Sequence, residues 1–239
     1  MNKHFSFKEI ILSEDENVIF INKPANSSSL DDRNSHIPGI NKLAKKYNEH
    51  LQLCHRLDKE TSGIMVLAKN PETYRDIAML FESRNVKKKY HTVVDGQVNF
   101  NHKSISLPIS VTKKNSAKID LNAGKKSETI FNTIKQFKNF SLIECMPVTG
   151  RLHQIRVHLA SQNFPVVADE LYGGKIPKLS HLKRKFKSTE TSDKNGMINR
   201  VALHAFSIEF NLAEKKYSAE APYPKDFQVF LKILEKYDS

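Results

Sequence analysis

The run Ile64-Met65-Val66-Leu67-Ala68 is apolar at five successive positions. An alternating strand would put every second side chain in water, whereas an unbroken run suits a strand buried on both faces. Just beyond it, Asn70-Pro71 supplies an N-cap and a first-turn proline, with Glu72 at the positive end of the dipole. This predicts a helix to about Ser83. Val18-Ile19-Phe20-Ile21, closed by Asn22-Lys23-Pro24, reads as another strand entering a loop. Residues 26–35 are rich in Ser, Asp and Asn and are expected to be a mobile loop, followed by a short helix from Ile40 to Asn48.

Further strands are expected over Tyr90 to Val98, Thr129 to Phe137, Phe140 to Val148 and Val201 to Phe210. In the first of these, Tyr90, Thr92 and Val94 share a face. Thr149-Gly150 turns the chain into a helical segment from Leu152 to Ser161, and a last helix starts at about Asp226. Strands outnumber helices and do not alternate with them, which favours α+β over a doubly wound sheet. The stretch from Lys175 to Asn199 is lysine-rich and aperiodic and reads as an exposed basic insertion. With no repeat and no evident linker, one domain over residues 1–239 is expected.

Lys and Arg total 38 against 26 Asp and Glu, a formal charge of +12. A globular chain this basic points to a polyanion, because neutralised phosphates release counterions. No basic amphipathic helix with a bulky apolar face supports a membrane surface. Nucleic acid therefore leads over a merely solvated basic surface. Cys54 and Cys145 lie far apart in no C-x-x-C pattern, which argues against a disulfide scaffold or zinc knuckle. No signal peptide or membrane-spanning run is found, so a soluble cytoplasmic protein is the expectation.

Three runs carry candidate chemistry. In Cys54-His55-Arg56-Leu57-Asp58-Lys59-Glu60-Thr61-Ser62-Gly63, the aspartate taken alone is more often an Asx turn or helix cap. Its place directly before a buried strand lets a rigid scaffold aim it, and Arg56 suits a phosphate or an extruded base. Cys54 and His55 are adjacent and point opposite ways in extended chain, so they make no thiol–imidazole pair. In Thr149 to Leu159, a helix puts Leu152, Ile155 and Leu159 on one stripe, with Arg156 beside it. A guanidinium buried there needs an anion, for which Asp58 is a candidate; an arginine snorkelling to water is the alternative. His153 and His158 share no face, so a metal pair is not expected. In Lys88 to Gly96, Tyr90 is alone an ordinary half-buried aromatic, but a tyrosine near a base can stack on it and move a proton.

Together these runs resemble the RluA-type family of pseudouridine synthases. The central signature, His-Arg-Leu-Asp with Thr-Ser-Gly and an apolar strand, spans His55 to Lys69. The tyrosine motif matches Lys88, Tyr90, Val94 and Gly96, and the motif Gly-Arg-x-His-Gln-Ile-Arg-x-His-Leu matches Gly150 to Leu159. Weaker echoes lie at residues 22–25, 169–173, 203–205 and 224–227. The resemblance implies a mixed, mostly antiparallel sheet with flanking helices and a central RNA-binding cleft. It implies that Asp58 is the catalytic aspartate, Tyr90 the base-stacking, proton-handling residue, and Arg156 the cation paired with Asp58. Arg56 is implied to replace the extruded uridine, with His55, Arg151 and His153 on the RNA side. The chemistry breaks N1–C1′, turns the uracil and joins C5 to C1′, which implies no cofactor and no metal. Covalent attack by Asp58 and proton removal beside C1′ both stay open.

The chain departs from the family at Asn26-Ser27-Ser28-Ser29, where a Gly-containing segment is common, and at Thr92, where alanine is usual. Too few residues precede Val18 for the small N-terminal RNA-binding domain of many relatives, so a monomer gripping ribosomal or transfer RNA through its catalytic domain is expected. The lysines of 175–187 would help, and removing them is expected to flatten the salt dependence of RNA binding; an unchanged slope would rule that out. An RNA-binding relative without activity and a hydrolytic nucleosidase are the alternatives. The second would want another carboxylate to activate water, and none accompanies these motifs.

Overall fold

The computed structural model describes residues 5–31, 37–113, 116–182 and 196–239. Its first half holds β1 (Ile11–Glu14), β2 (Val18–Lys23), α1 (Ile40–Tyr47), β3 (Gln52–Leu53), β4 (Ser62–Ala68), α2 (Pro71–Glu82) and β5 (Lys87–Asp95). Then follow β6 (Lys103–Ile105), β7 (Ile109–Val111), β8 (Ala117–Ile119), β9 (Thr129–Gln136), β10 (Phe140–Pro147) and α3 (Gln154–Ser161). The chain closes with β11 (Leu203–Leu212), β12 (Lys215–Glu220) and a C-terminal helix, Lys225–Tyr237. Contacts divide the chain into two units, residues 1–88 with 204–222, and residues 89–203 with 223–239. The fold is α+β, as the irregular order of strands and helices predicts.

In the first unit, β4 is buried at all seven positions, as its unbroken apolar run requires. β2 pairs antiparallel with one edge of β4, from Val18 opposite Ala68 to Lys23 opposite Gly63. The other edge is shared: β3 takes Leu67 and Ala68, and β11 runs parallel beside Ser62 and Gly63. β1 and β12 extend the sheet antiparallel on β2 and β11, so it is mixed but mostly antiparallel. α2 begins where Asn70-Pro71 predicts. The Asn70 side chain accepts from Thr73 N at 2.8 Å, and Ile77 is buried on a helix that packs against β4.

The second unit is built on an antiparallel sheet in the order β5-β10-β9-β6, with the β7–β8 hairpin separate. β5 runs three residues earlier than Tyr90 to Val98, because Gly96 takes φ +93° and turns the chain there. α3 starts at Gln154, two residues later than expected, because His153 sits in the left-handed region at φ 51°. Gln154 through Leu159 are all buried, so α3 is enclosed all round and has no single apolar stripe. Phe227, Phe230 and Leu234 of the C-terminal helix enter the same core as Val93, Phe131, Ile143 and Leu159. A bidentate pair from Arg200 to Asp226, with Nε 2.7 Å from Oδ2, pins that helix at its start.

The loop expected over residues 26–35 is anchored in its first part. Ser28 and Ser29 carbonyls accept from Ile40 and Asn41 N–H, satisfying the free donors at the start of α1. Residues 32–36 lie outside the described residues. Of the basic insertion, residues 183–195 lie outside them as well; its base is closed by Met197 N donating to Pro177 O at 2.9 Å. Among the described residues no helix is long and apolar enough to cross a membrane.

Candidate active site

Between Leu67, paired with β3, and Gly63, paired with β11, the outer edge of β4 has no strand partner among the described residues. The chain that carries Asp58 fills this gap. Cys54 N donates to Val66 O, and Val66 N donates to Nε2 of His55 at 3.1 Å. An imidazole thus completes a strand edge whose N–H would otherwise be buried without an acceptor. Its ring packs on Phe81 with centroids 5.0 Å apart. His55 therefore braces the loop rather than reaching outward.

Further on, the backbone is held on both sides of Asp58. Ser29 is buried and its hydroxyl both accepts from Leu57 N (3.0 Å) and donates to Leu57 O (2.7 Å). Lys23 is fully buried, and its ammonium donates to the carbonyls of Pro24, Ser27 and Lys59, at 2.8 to 3.2 Å. Thr61 N returns to the backbone carbonyl of Asp58, closing a turn through the main chain. With Leu57 buried between them, Arg56 is exposed and Asp58 half-buried. At Gly63 the backbone takes φ +118°, and a Cβ there would lie 2.1 Å from Ala205 O. Ser62 and His204 complete the support: His204 Nε2 donates to Ala221 O, so its Nδ1 accepts from the Ser62 hydroxyl at 2.9 Å.

Packing around the His55 ring pushes its pKa from 6.5 down to about 3, with the charge of Lys88 adding to the effect. Between those values the unfolded chain holds more protons at this site than the folded one. Its contribution is full above pH 6.5 and is lost as pH falls through the window. His91, pushed down to about 4 by burial, acts in the same direction. Thermal melts at about pH 7 and about pH 5 should show a larger loss in the wild type than in His55→Gln, whose amide oxygen can still accept from Val66 N. Equal losses would remove His55 as the source.

In the second unit, Tyr90 lies opposite Cys145 on β10 and is half-buried against the core. The neighbouring His91 is bonded to Tyr223, and Lys89 pairs with Glu144 at 2.9 Å. Arg156 is 3% exposed and meets Asp169, 1% exposed, through two bonds of 2.7 Å from Nε and Nη2. The anion that a buried guanidinium needs is, within this unit, Asp169; the expected partner Asp58 belongs to the other unit. The Tyr172 ring lies 5.1 Å from Arg156 Cζ. Tyr172 Oη accepts from Ala117 N and is hydrogen-bonded to His153 Nδ1, at 2.8 Å each. Arg151 is exposed, with Nε donating to Lys126 O.

Gln154 uses all four of its hydrogen-bonding places. Its oxygen accepts from Thr149 Oγ1 and Arg151 N, and its nitrogen donates to Glu128 O and Thr129 Oγ1. It is a rigid post between the turn that carries Arg151 and strand β9. His158 is fully buried, donating from Nε2 to Leu107 O and bonded to Thr129 through Nδ1. Burial lowers its pKa, and its part is packing.

The residues that sequence reasoning passed over are Ser29, Lys23, Gln154, Asp169 and Tyr172. Lys23, Asp169 and Tyr172 lay in segments noted only as weak echoes, and Ser29 in one noted as a departure. No local pattern tells that a serine 28 residues before Leu57 will clasp its backbone.

Residues 17–161 match the family described as RNA pseudouridylate synthase. The chain is 38% identical over 236 residues to ribosomal large subunit pseudouridine synthase C of Buchnera aphidicola, covering 96% of this chain and 70% of that protein. It is 33% identical over 247 residues to ribosomal large subunit pseudouridine synthase D of Borreliella burgdorferi, covering 95% and 69%. The solved structure of human RNA pseudouridylate synthase domain containing 4 superposes with a TM-score of 0.75 at 25% identity, covering 96% of this chain and 94% of that one. With the motif residues of Asp58, Tyr90 and Arg156 all inside the matched span, the chain belongs to the RNA pseudouridylate synthase family, whose enzymes are isomerases.

Proposed function

We propose that this enzyme converts uridine to pseudouridine in ribosomal RNA of the large subunit, with Asp58 as its catalytic carboxylate. The observation that carries the reading is the anchoring of the backbone at Leu57 and Lys59, which leaves Asp58 between them as an aimed, half-buried side chain. Preorganisation of that kind serves chemistry better than it serves a turn. The named relatives above are synthases of ribosomal large subunit RNA, which favours that class over transfer RNA.

In this reading the target uridine leaves the stack, because C5 and the glycosidic bond cannot be reached inside a helix. Arg56, exposed and cationic, takes the vacated place. Tyr90 stacks on the uracil and handles a proton, and Arg156 supplies a positive charge to the reaction. N1–C1′ breaks, the base turns, C5–C1′ forms, and the C5 hydrogen leaves as a proton while N1 gains one. Arg151 and His153 bind the RNA, and His55 contributes by holding the loop. The 239 residues work as one catalytic domain, as a monomer in the cytoplasm.

The test is tritium release from C5-labelled uridine in large-subunit ribosomal RNA and, separately, in transfer RNA. Release from the ribosomal substrate, with no free uracil, is expected. Release from transfer RNA alone would overturn the substrate assignment.

A further inference from the structure

Arg156 and Asp169 form an ion pair almost wholly out of water. Such a pair is weak evidence for stability, because desolvation offsets most of the attraction and apolar replacements often do as well. What a bidentate pair does supply is direction: two parallel bonds fix the plane of the guanidinium as well as its position. The segment that presents Asp169 is itself tightly held. Asp169 N donates to Val166 O, and Tyr172 N and Gly174 N both return to Asp169 O. A Cβ on Gly174 would fall 1.9 Å from Val166 O, so the turn passes where only glycine fits. Ala168, just before Asp169, is a non-glycine residue at φ 60°, and His153, three before Arg156, sits at φ 51°. Backbone held in that region by its surroundings gathers where side chains must be aimed. Tyr172 joins the two: its ring lies by the Arg156 guanidinium and its hydroxyl fixes the His153 ring.

The geometry points to Asp169 and Tyr172 as positioning residues, which orient the Arg156 guanidinium and the His153 imidazole for the reaction without themselves touching RNA. This rests on the proposed function, since it needs Arg156 and His153 to act on the reaction and its RNA. Asp169 fixes the Nε–Nη2 edge of Arg156, so the direction in which the rest of the guanidinium presents its charge is set. The Tyr172 hydroxyl, itself held by Ala117 N, bonds Nδ1 of His153 and so fixes the plane of the imidazole and leaves Nε2 as its other face.

Asp169→Asn keeps the shape and removes the charge that fixes the arginine. It should lower kcat for tritium release about 100-fold per folded molecule while KM for RNA stays within about threefold, as misplacing a reacting group does. Tyr172→Phe keeps the ring beside Arg156 and should lower kcat about 10-fold. A role in stability alone would lower the melting temperature and leave kcat per folded molecule unchanged. Wild-type kcat in folded Asp169→Asn overturns the proposal. If that variant does not fold, wild-type kcat in Tyr172→Phe does so. Absence of tritium release from the wild-type enzyme overturns the proposed function by itself. Positioning is then read from the Arg156 Nε–H by nuclear magnetic resonance. Slow hydrogen exchange in the wild type that quickens about 100-fold in Asp169→Asn, or in Asp169→Glu if the asparagine variant does not fold, supports it, and unchanged exchange overturns it.

Discussion

Asp58→Asn is expected to lower tritium release from C5-labelled uridine RNA by about 10⁴-fold or more, while RNA affinity stays within about threefold. The substitution is nearly isosteric, and the loop has no reason to move. Leu57 is clasped by Ser29, Lys59 by Lys23, and the strand edge behind them by His55. What is lost is the negative charge, which both covalent attack at C1′ and proton removal beside it require. Because the basic surface is untouched, affinity, which comes mostly from phosphate contacts, persists. The same assay separates the rivals: a hydrolase releases free uracil, and a binder releases neither uracil nor tritium. Retained isomerisation in Asp58→Asn would end the assignment of Asp58.

The second large effect is on folding. Gly63→Ala should destabilise the protein by about 2–6 kcal/mol, from about 1–3 for a side chain at positive φ and a similar amount for overpacking. The new methyl group would lie 2.1 Å from Ala205 O and 2.6 Å from Ala205 N, both of them backbone atoms that cannot swing aside. Relief requires β4 and β11 to separate where they pair, at Ser62–His204 and Gly63–Ala205. Denaturant unfolding measures this directly, and a loss below about 1 kcal/mol would show that the strands part with little penalty. The glycine of Thr-Ser-Gly is thus explained by close approach of two backbones.

Much of the fold is written locally. The unbroken run Ile64–Ala68 marks a strand with no wet face, and β4 has none. Asn70-Pro71 marks the start of α2 to the residue, because a cap side chain and a fixed φ act within one turn. Boundaries failed where one residue adopts an unusual φ for reasons outside its own segment. His153 at φ 51° delays α3, and Gly96 at φ +93° ends β5 early. The apolar stripe expected on α3 failed because Gln154, Arg156 and His158 are buried too, each satisfied by partners distant in sequence.

The sequence by itself determined the chemistry on offer: an aspartate and an arginine before a buried strand, a tyrosine on a second strand, an arginine on a helix, and a surplus of positive charge. Those signals are residue types at short spacing, and short-range physics is enough to read them. Only the tertiary structure decided what holds them. Ser29 reaches Leu57 across 28 residues, Lys23 reaches Lys59 across 36, and Asp169 reaches Arg156 across a turn that strained backbone and Gly174 make possible. A buried polar group must find a partner wherever the chain brings one, and that choice depends on packing rather than on neighbours in sequence.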